Sequence, residues 1–221
     1  MTRHFEDELA QFKEILLTMG SYAERSVSQA IQAMTDRNDP LAVQVQENDD
    51  IMDHLEMEID EMAINLLSKA PLGTDLRLIT VTMKISQNLE RIGDEATTIA
   101  RRALELNTEP QLKAFIDIPR MAGIALGMLK ESLDAFVNKE TEKARAIVPR
   151  DKEVDALNRQ LYRELSSYMS ENPSTISRCL NLMTVSKSLE RVADHATNIA
   201  EEVVYLCEAR DIRHKASQSA P

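Results

Sequence analysis

A twelve-residue phrase occurs twice in this chain, one hundred positions apart, and a repeat of that kind constrains the architecture more than any other feature. The copies read Leu89-Glu-Arg-Ile-Gly-Asp-Glu-Ala-Thr-Thr-Ile-Ala100 and Leu189-Glu-Arg-Val-Ala-Asp-His-Ala-Thr-Asn-Ile-Ala200, identical at eight of twelve positions. Both keep their apolar spacing and an acidic pair four residues apart, Glu90/Asp94 and Glu190/Asp194. One structural unit is therefore used twice.

That unit reads as helical. Five glycines among 221 residues, and many Leu, Ala, Met, Glu and Lys, favour helix over strand. Asp39-Pro40 and Asn172-Pro173 each read as an N-cap followed by proline at the first helical position. Ala70-Pro71-Leu-Gly-Thr74 reads as a turn with Thr74 capping the next helix, and Pro110 and Pro119 flank a polar connector. Six helical segments follow, near 4–37, 40–69, 74–107, 119–138, 141–171 and 173–208, with Pro149 kinking the fifth. Residues 210–221 read as a polar disordered tail. The expected fold class is all-α: two tandem three-helix bundles, over 1–109 and 110–221.

Heptad phase places the acids. Leu78, Ile85, Ile92, Ile99 and Leu106 recur every seven residues, with Leu89, Ala96 and Ala103 between them. Val185, Leu189, Val192, Ala196, Ile199, Val203 and Leu206 repeat the pattern. With Leu89 at position a, Glu90 falls at b and Asp94 at f, as do Glu190 and Asp194 in their helix, away from the core. A second set of acidic pairs, Asp49/Asp53 and Asp151/Asp155, lies on the preceding helix of each half. Their phase is set by the seams Met52-Leu55-Ile59-Met62-Leu66 and Val154-Leu157-Leu161-Tyr168. Within each half the two pairs are equidistant from the intervening turn, which in an antiparallel helix pair sets them side by side. Each half should bring four carboxylates to one level across a helix–helix groove.

Four converging like charges repel unless something neutralises them. Carboxylate oxygens without His or Cys suit iron, manganese, magnesium or calcium, and zinc less well. The plainer reading is a solvated face, since 37 acidic residues scatter many such pairs by chance. Four pairs duplicated at matched phase and matched distance from a turn favour metal. Arg91 and Arg191, at c, are placed to pair with a neighbouring helix, or to form exposed ion pairs of little energetic weight. Asn198 and Glu201 extend the second acidic stripe where Thr98 and Arg101 stand in the first, so the second site should be the more negative. His195 reads as an exposed histidine or an extra ligand, and Lys84 and Lys187 as ordinary surface lysines.

Composition narrows the function. A net charge of −11 disfavours non-specific nucleic-acid binding, and a chain with no Trp and only four Tyr and four Phe offers little base stacking. No apolar run reaches the roughly 18 residues needed to span a bilayer. The start, Met1-Thr-Arg-His-Phe-Glu-Asp-Glu, lacks a signal-peptide core. Cys179 and Cys207 have no pairing or metal-ligand spacing and read as reduced helix residues. The expected location is the cytoplasm.

At the repeated phrase the chain resembles the PhoU family of bacterial phosphate-transport accessory proteins. The family signature is an acidic-x-x-x-Asp motif on two helices of each three-helix bundle. It stands here as Leu-Glu-Arg-Ile-Gly-Asp at Leu89–Asp94 and Leu-Glu-Arg-Val-Ala-Asp at Leu189–Asp194, with Ala193 where the family usually has Gly. The resemblance extends to Met19-Gly20, to Asp75-Leu-Arg-Leu-Ile79 and to Asn198-Ile-Ala-Glu201.

It implies a negative regulator of phosphate uptake and of the phosphate-starvation response. Such a protein acts with a phosphate ABC transporter, through its ATPase subunit, and with a phosphate-sensing membrane histidine kinase. It meets the membrane only through those partners and commonly forms a homodimer. The resemblance also implies multinuclear metal clusters, of iron, manganese, magnesium or zinc. Carried over by position, the ligands would be Asp49, Asp53, Glu90 and Asp94 in the first bundle and Asp151, Asp155, Glu190 and Asp194 in the second. Two rival readings are a metal-independent helical adaptor and a carboxylate-bridged metalloenzyme. The latter lacks the Glu-x-x-His pairs and core-facing acids such enzymes use, so the chain reads as a non-enzyme.

Overall fold

The computed structural model describes residues 2–69 and 72–212. Its helices are α1 (Thr2–Thr35), α2 (Asp39–Glu47), α3 (Asp49–Leu67), α4 (Gly73–Asn107), α5 (Asp117–Asn138), α6 (Thr141–Ile147), α7 (Asp151–Glu171) and α8 (Ile176–Glu208). Six long rods are present, as the repeat requires, and the middle rod of each half is broken. The break before α7 is a 3₁₀ turn at Val148–Arg150, where Pro149 cannot donate to the helix. The break between α2 and α3 falls at Asn48, with no proline to announce it. Both breaks directly precede an acidic pair.

Several termini differ from the sequence reading. Asn38, rather than Asp39, caps α2 by accepting from the Leu41 amide, because Asp39 is already helical. Thr74 lies inside α4, which starts one residue earlier without a side-chain cap. Pro119 sits in the first turn of α5, where a missing N–H costs nothing. Asn172 does accept from the Ser174 amide, opening a 3₁₀ turn at Pro173–Thr175 before α8. Of the expected disordered tail, residues 213–221 lie outside the described residues, as do residues 70 and 71 of the Pro71 turn.

α1, the α2–α3 rod and α4 form one bundle, and α5, the α6–α7 rod and α8 the other. The two halves match down to their turns. Arg37 and Lys139 both take left-handed backbone (φ 54° and 55°) at the end of the first rod. The following amides then reach back to carbonyls five residues earlier, Asn38 to Ala33 at 2.9 Å and Glu140 to Ala135 at 3.0 Å. Every residue of the α4 seam is buried, and the α8 seam is buried up to Leu206, which is half-buried. Among the described residues no helix is long and apolar enough to cross a membrane.

The bundles join where α4 runs antiparallel to α8 and α1 passes α5. The α4–α8 contact is polar at its centre. Arg191 Nη1 donates to Glu95 Oε1 at 3.0 Å, Lys84 Nζ to Glu202 at 3.2 Å, and Arg77 Nη1 to the Leu206 carbonyl at 3.3 Å. Glu202 is only 4% exposed, so Lys84 is a partner of a buried carboxylate rather than an ordinary surface lysine. At the α1–α5 crossing, a Cβ on Gly20 would stand 2.6 Å from Leu133 Cδ1.

Gly93 governs the α3–α4 approach beneath the first acid set. A Cβ there would meet Met52 Cγ at 3.2 Å, a gap that a flexible side chain can open. Ala193 is fully buried at the matching place in α8, so the methyl is accommodated there. Gly93→Ala is therefore expected to stay within about 1 kcal/mol of wild type, since improved helix propensity offsets the shift of Met52. Gly93→Leu should cost roughly 1–3 kcal/mol by overpacking. Urea denaturation of the two variants checks both, and equal midpoints would refute the packing role of Gly93.

Candidate metal-binding surface

The acid sets form where two helices of a bundle lie flank to flank. Asp49 and Asp151 occupy the first helical positions of α3 and α7, just after the breaks, where free backbone N–H groups favour negative charge. Across from them, Glu90 and Asp94 on α4, and Glu190 and Asp194 on α8, sit one step off the buried seam. Asp53, Asp94 and Asp194 are exposed, whereas Asp49, Glu90, Asp151, Asp155 and Glu190 are half-buried. The expected outward placement holds.

In the first bundle Asp53 and Asp94 act electrostatically on both Asp49 and Glu90. Partial burial, followed by the charges of Asp94, Glu56 and Asp53, raises the Glu90 carboxyl to about 7. Asp49 is raised chiefly by burial and then by its acidic neighbours, against a hydrogen bond from Thr97. Asp94 is raised by burial and by Asp53. Glu56 belongs to this set and is itself raised, by burial and by Asp60 and Asp53. It sits one helical turn beyond Asp53, outside the repeated acidic-x-x-x-Asp spacing, so the motif did not reveal it.

In the second bundle Asp151, Asp155, Glu190 and Asp194 come together in the same way. Asp194 is pushed up to about 6, first by burial, then by Asp151 and Glu190, with Lys187 opposing. Asp151 is raised first by burial and then by the charges of Asp155 and Glu190, with neighbouring Asp194 opposing the shift. Carboxylates crowded in this way favour a retained proton or a bound cation.

The donor chemistry suits a hard cation: carboxylate oxygens dominate, and Asp151 Oδ1 and Thr197 Oγ1 are buried with no hydrogen-bond partner. Among the described residues, however, no three His, Cys, Asp or Glu side chains converge as a ready-made ion site. The acids line up alongside one another, so holding an ion requires side chains to turn inward. The residues that would hold it are the four named acids of each bundle, joined by Glu56 in the first.

Two PhoU-domain matches cover residues 16–103 and 118–203. A phosphate-specific transport system accessory protein PhoU homolog from Pseudomonas aeruginosa is 39% identical over 216 residues, spanning 97% of this chain and 89% of that protein. The Caulobacter vibrioides homolog is 40% identical over 207 residues, 91% of this chain and 90% of that one. The chain belongs to the PhoU family. Its fold follows that of the crystal structure of PhoU from P. aeruginosa, with a TM-score of 0.90 at 39% identity over 93% of this chain and 100% of that one. The phosphate transport system regulatory protein PhoU of Streptococcus pneumoniae superposes with a TM-score of 0.88 at 26% identity, over 94% and 99% of the two chains.

Within this PhoU protein the two acid surfaces are unequal, in the reverse sense to the sequence expectation. The first gains Glu56, and Asp50 where the second half has Lys152. The second is countered by Lys187, which forms an ion pair with Glu190 and so is more than a surface lysine. Asn198 and Glu201 line the groove between the repeats instead of extending the second acid set. His195 is half-buried at that groove and faces α4, with its ring nitrogen 3.0 Å from Asn88. Cys179 and Cys207 are free thiols, one buried and one exposed.

Because Glu90 and Asp194 keep their protons to higher pH when folded than when unfolded, ionising them costs stability. Their contribution is complete below the unfolded carboxyl range and is lost as pH rises through about 6 for Asp194 and about 7 for Glu90. In metal-free buffer, Glu90→Gln should therefore lose less urea resistance than wild type between pH 4.5 and about 7. Parallel profiles would show that Glu90 titrates normally.

Proposed function

We propose that this protein is a negative regulator of phosphate uptake and of the phosphate-starvation response. It works in the cytoplasm as a homodimer, with the ATPase subunit of a phosphate ABC transporter and a phosphate-sensing membrane histidine kinase. It reaches the membrane only through them. Its role is accessory rather than catalytic. The observation that carries this reading is the near full-length identity to proteins named as phosphate-specific transport system accessory proteins, running through both repeats. Deleting the gene in the source cell should leave alkaline phosphatase expression and phosphate uptake unrestrained in phosphate-rich medium, with rescue by the wild-type copy. A response equal to the parent's would remove the regulatory role.

The two acid surfaces are proposed to hold multinuclear clusters of iron, manganese, magnesium or zinc. The duplicated carboxylate sets with raised proton affinity support this, because a cation relieves the same repulsion that a proton does. A bound cation would neutralise the surface and let it meet an anionic partner group. The absence of a converged triad among the described residues favours the second reading, an adaptor that uses its acids directly. Elemental analysis decides between them. Wild type should carry metal that Glu190→Ala/Asp194→Ala loses from its second site, with helicity unchanged. Equal, negligible occupancy in both proteins would establish the metal-independent adaptor.

A further inference from the structure

A groove of about 610 Å³ runs along the α4–α8 contact, lined by matching positions of the two repeats. Arg91 and Arg191 line it from opposite sides, and Asp94 and Asp194 bring the two acid surfaces to its margins. The arginines are repeat mates with different surroundings. Arg191 is tied to Glu95 at 3.0 Å. Opposite, His195 stands where Glu95 stands in the first repeat. Arg91 lies within electrostatic range of Glu56, Glu90 and Asp94 on its own acid surface, but among the described residues no direct bond like that of Arg191 to Glu95 fixes its guanidinium. A guanidinium left in this way is a donor fork suited to an oxyanion.

The neighbouring atoms are held in defined roles. Asn88 Nδ2 donates to the Lys84 carbonyl at 2.8 Å, which identifies the other end of that amide as oxygen. This oxygen accepts from Asn198 Nδ2 at 3.3 Å and lies 3.0 Å from His195 Nδ1, which must therefore donate. Nε2 of a neutral His195 is then an acceptor. The groove thus offers a guanidinium donor beside an acceptor, a combination that suits an oxyanion still carrying a hydroxyl. Orthophosphate keeps a P–OH at neutral pH; sulfate has none.

We propose that this inter-repeat groove binds inorganic phosphate, with Arg91 as the principal donor and His195 as acceptor of the phosphate hydroxyl. As the ligand of a phosphate regulator it rests on the function proposed above, but the binding itself is measured separately. Asp94, Glu95, Asp194 and Glu201 also line the groove, so the measurement is made with Mg²⁺ present to offset their charge.

Isothermal titration of the full chain with inorganic phosphate, and then with sulfate, tests it. Wild type should bind phosphate at least about tenfold more tightly than sulfate, the scale set by one hydrogen bond to a charged group. Arg91→Gln should weaken phosphate binding by a similar factor, about tenfold or more, with unchanged circular dichroism. His195→Glu should do the same by giving Arg91 the carboxylate partner that Arg191 already has. Absent phosphate binding in wild type, equal affinity for sulfate, or a folded variant that binds as wild type would each overturn the proposal. Phosphate binding as predicted in a protein whose deletion leaves phosphate regulation intact would uphold the groove and remove the regulatory role.

Discussion

The pressing of α3 onto α4, and of α7 onto α8, forces together carboxylates that would otherwise separate. Met52, Ile59 and Leu66 on α3 meet the seam of α4, and Val154, Leu157 and Leu161 on α7 meet that of α8, all of them buried. Burying one such side chain contributes roughly 1.5–3 kcal/mol. Near a surface, the repulsion between two carboxylates a few ångströms apart is on the order of 1–4 kcal/mol. A seam several residues long outweighs that repulsion, so the acids stay crowded and part of the cost appears as raised proton affinity. Removing the seam would relax the acids; removing the acids would leave the seam intact.

Much of this was legible in the chain because the informative signals are periodic. The 3-4 spacing from Leu78 to Leu106 and its copy in α8 fix which face is buried, and therefore that Glu90, Asp94, Glu190 and Asp194 point outward. The equal distance of paired acids from each turn placed α3 against α4 and α7 against α8 in the right register. The break at Asn48 escaped because no proline or glycine marks it; it shows only by comparison with the Pro149 turn of the second half. Asp39 looked like a cap because it precedes proline, yet the helix starts early enough for Asn38 to take that place. Glu56 escaped because it joins the first acid set from outside the repeated spacing.

The contact between the repeats was the hardest feature to read. Hydropathy patterns detect apolar faces, and the middle of the α4–α8 contact is assembled from Arg191–Glu95, Lys84–Glu202 and the Asn88 amide. Each of those residues looks like ordinary helix surface in isolation. A polar contact of this kind holds its two faces through directional bonds that can be exchanged one at a time, whereas the bundle interiors are close-packed and resist small displacements.

The exchange of Glu95 for His195 at matching positions follows from the two halves sharing one chain. In an assembly of two identical single-repeat subunits about a true axis, one codon would dictate both sides of the seam, and any change would appear twice. Covalent tandem linkage lifts that restriction. One flank can keep its locked arginine as a strut while the other is free to drift toward a separate task, so the duplicated molecule has a handed centre that no symmetric dimer of its half could possess.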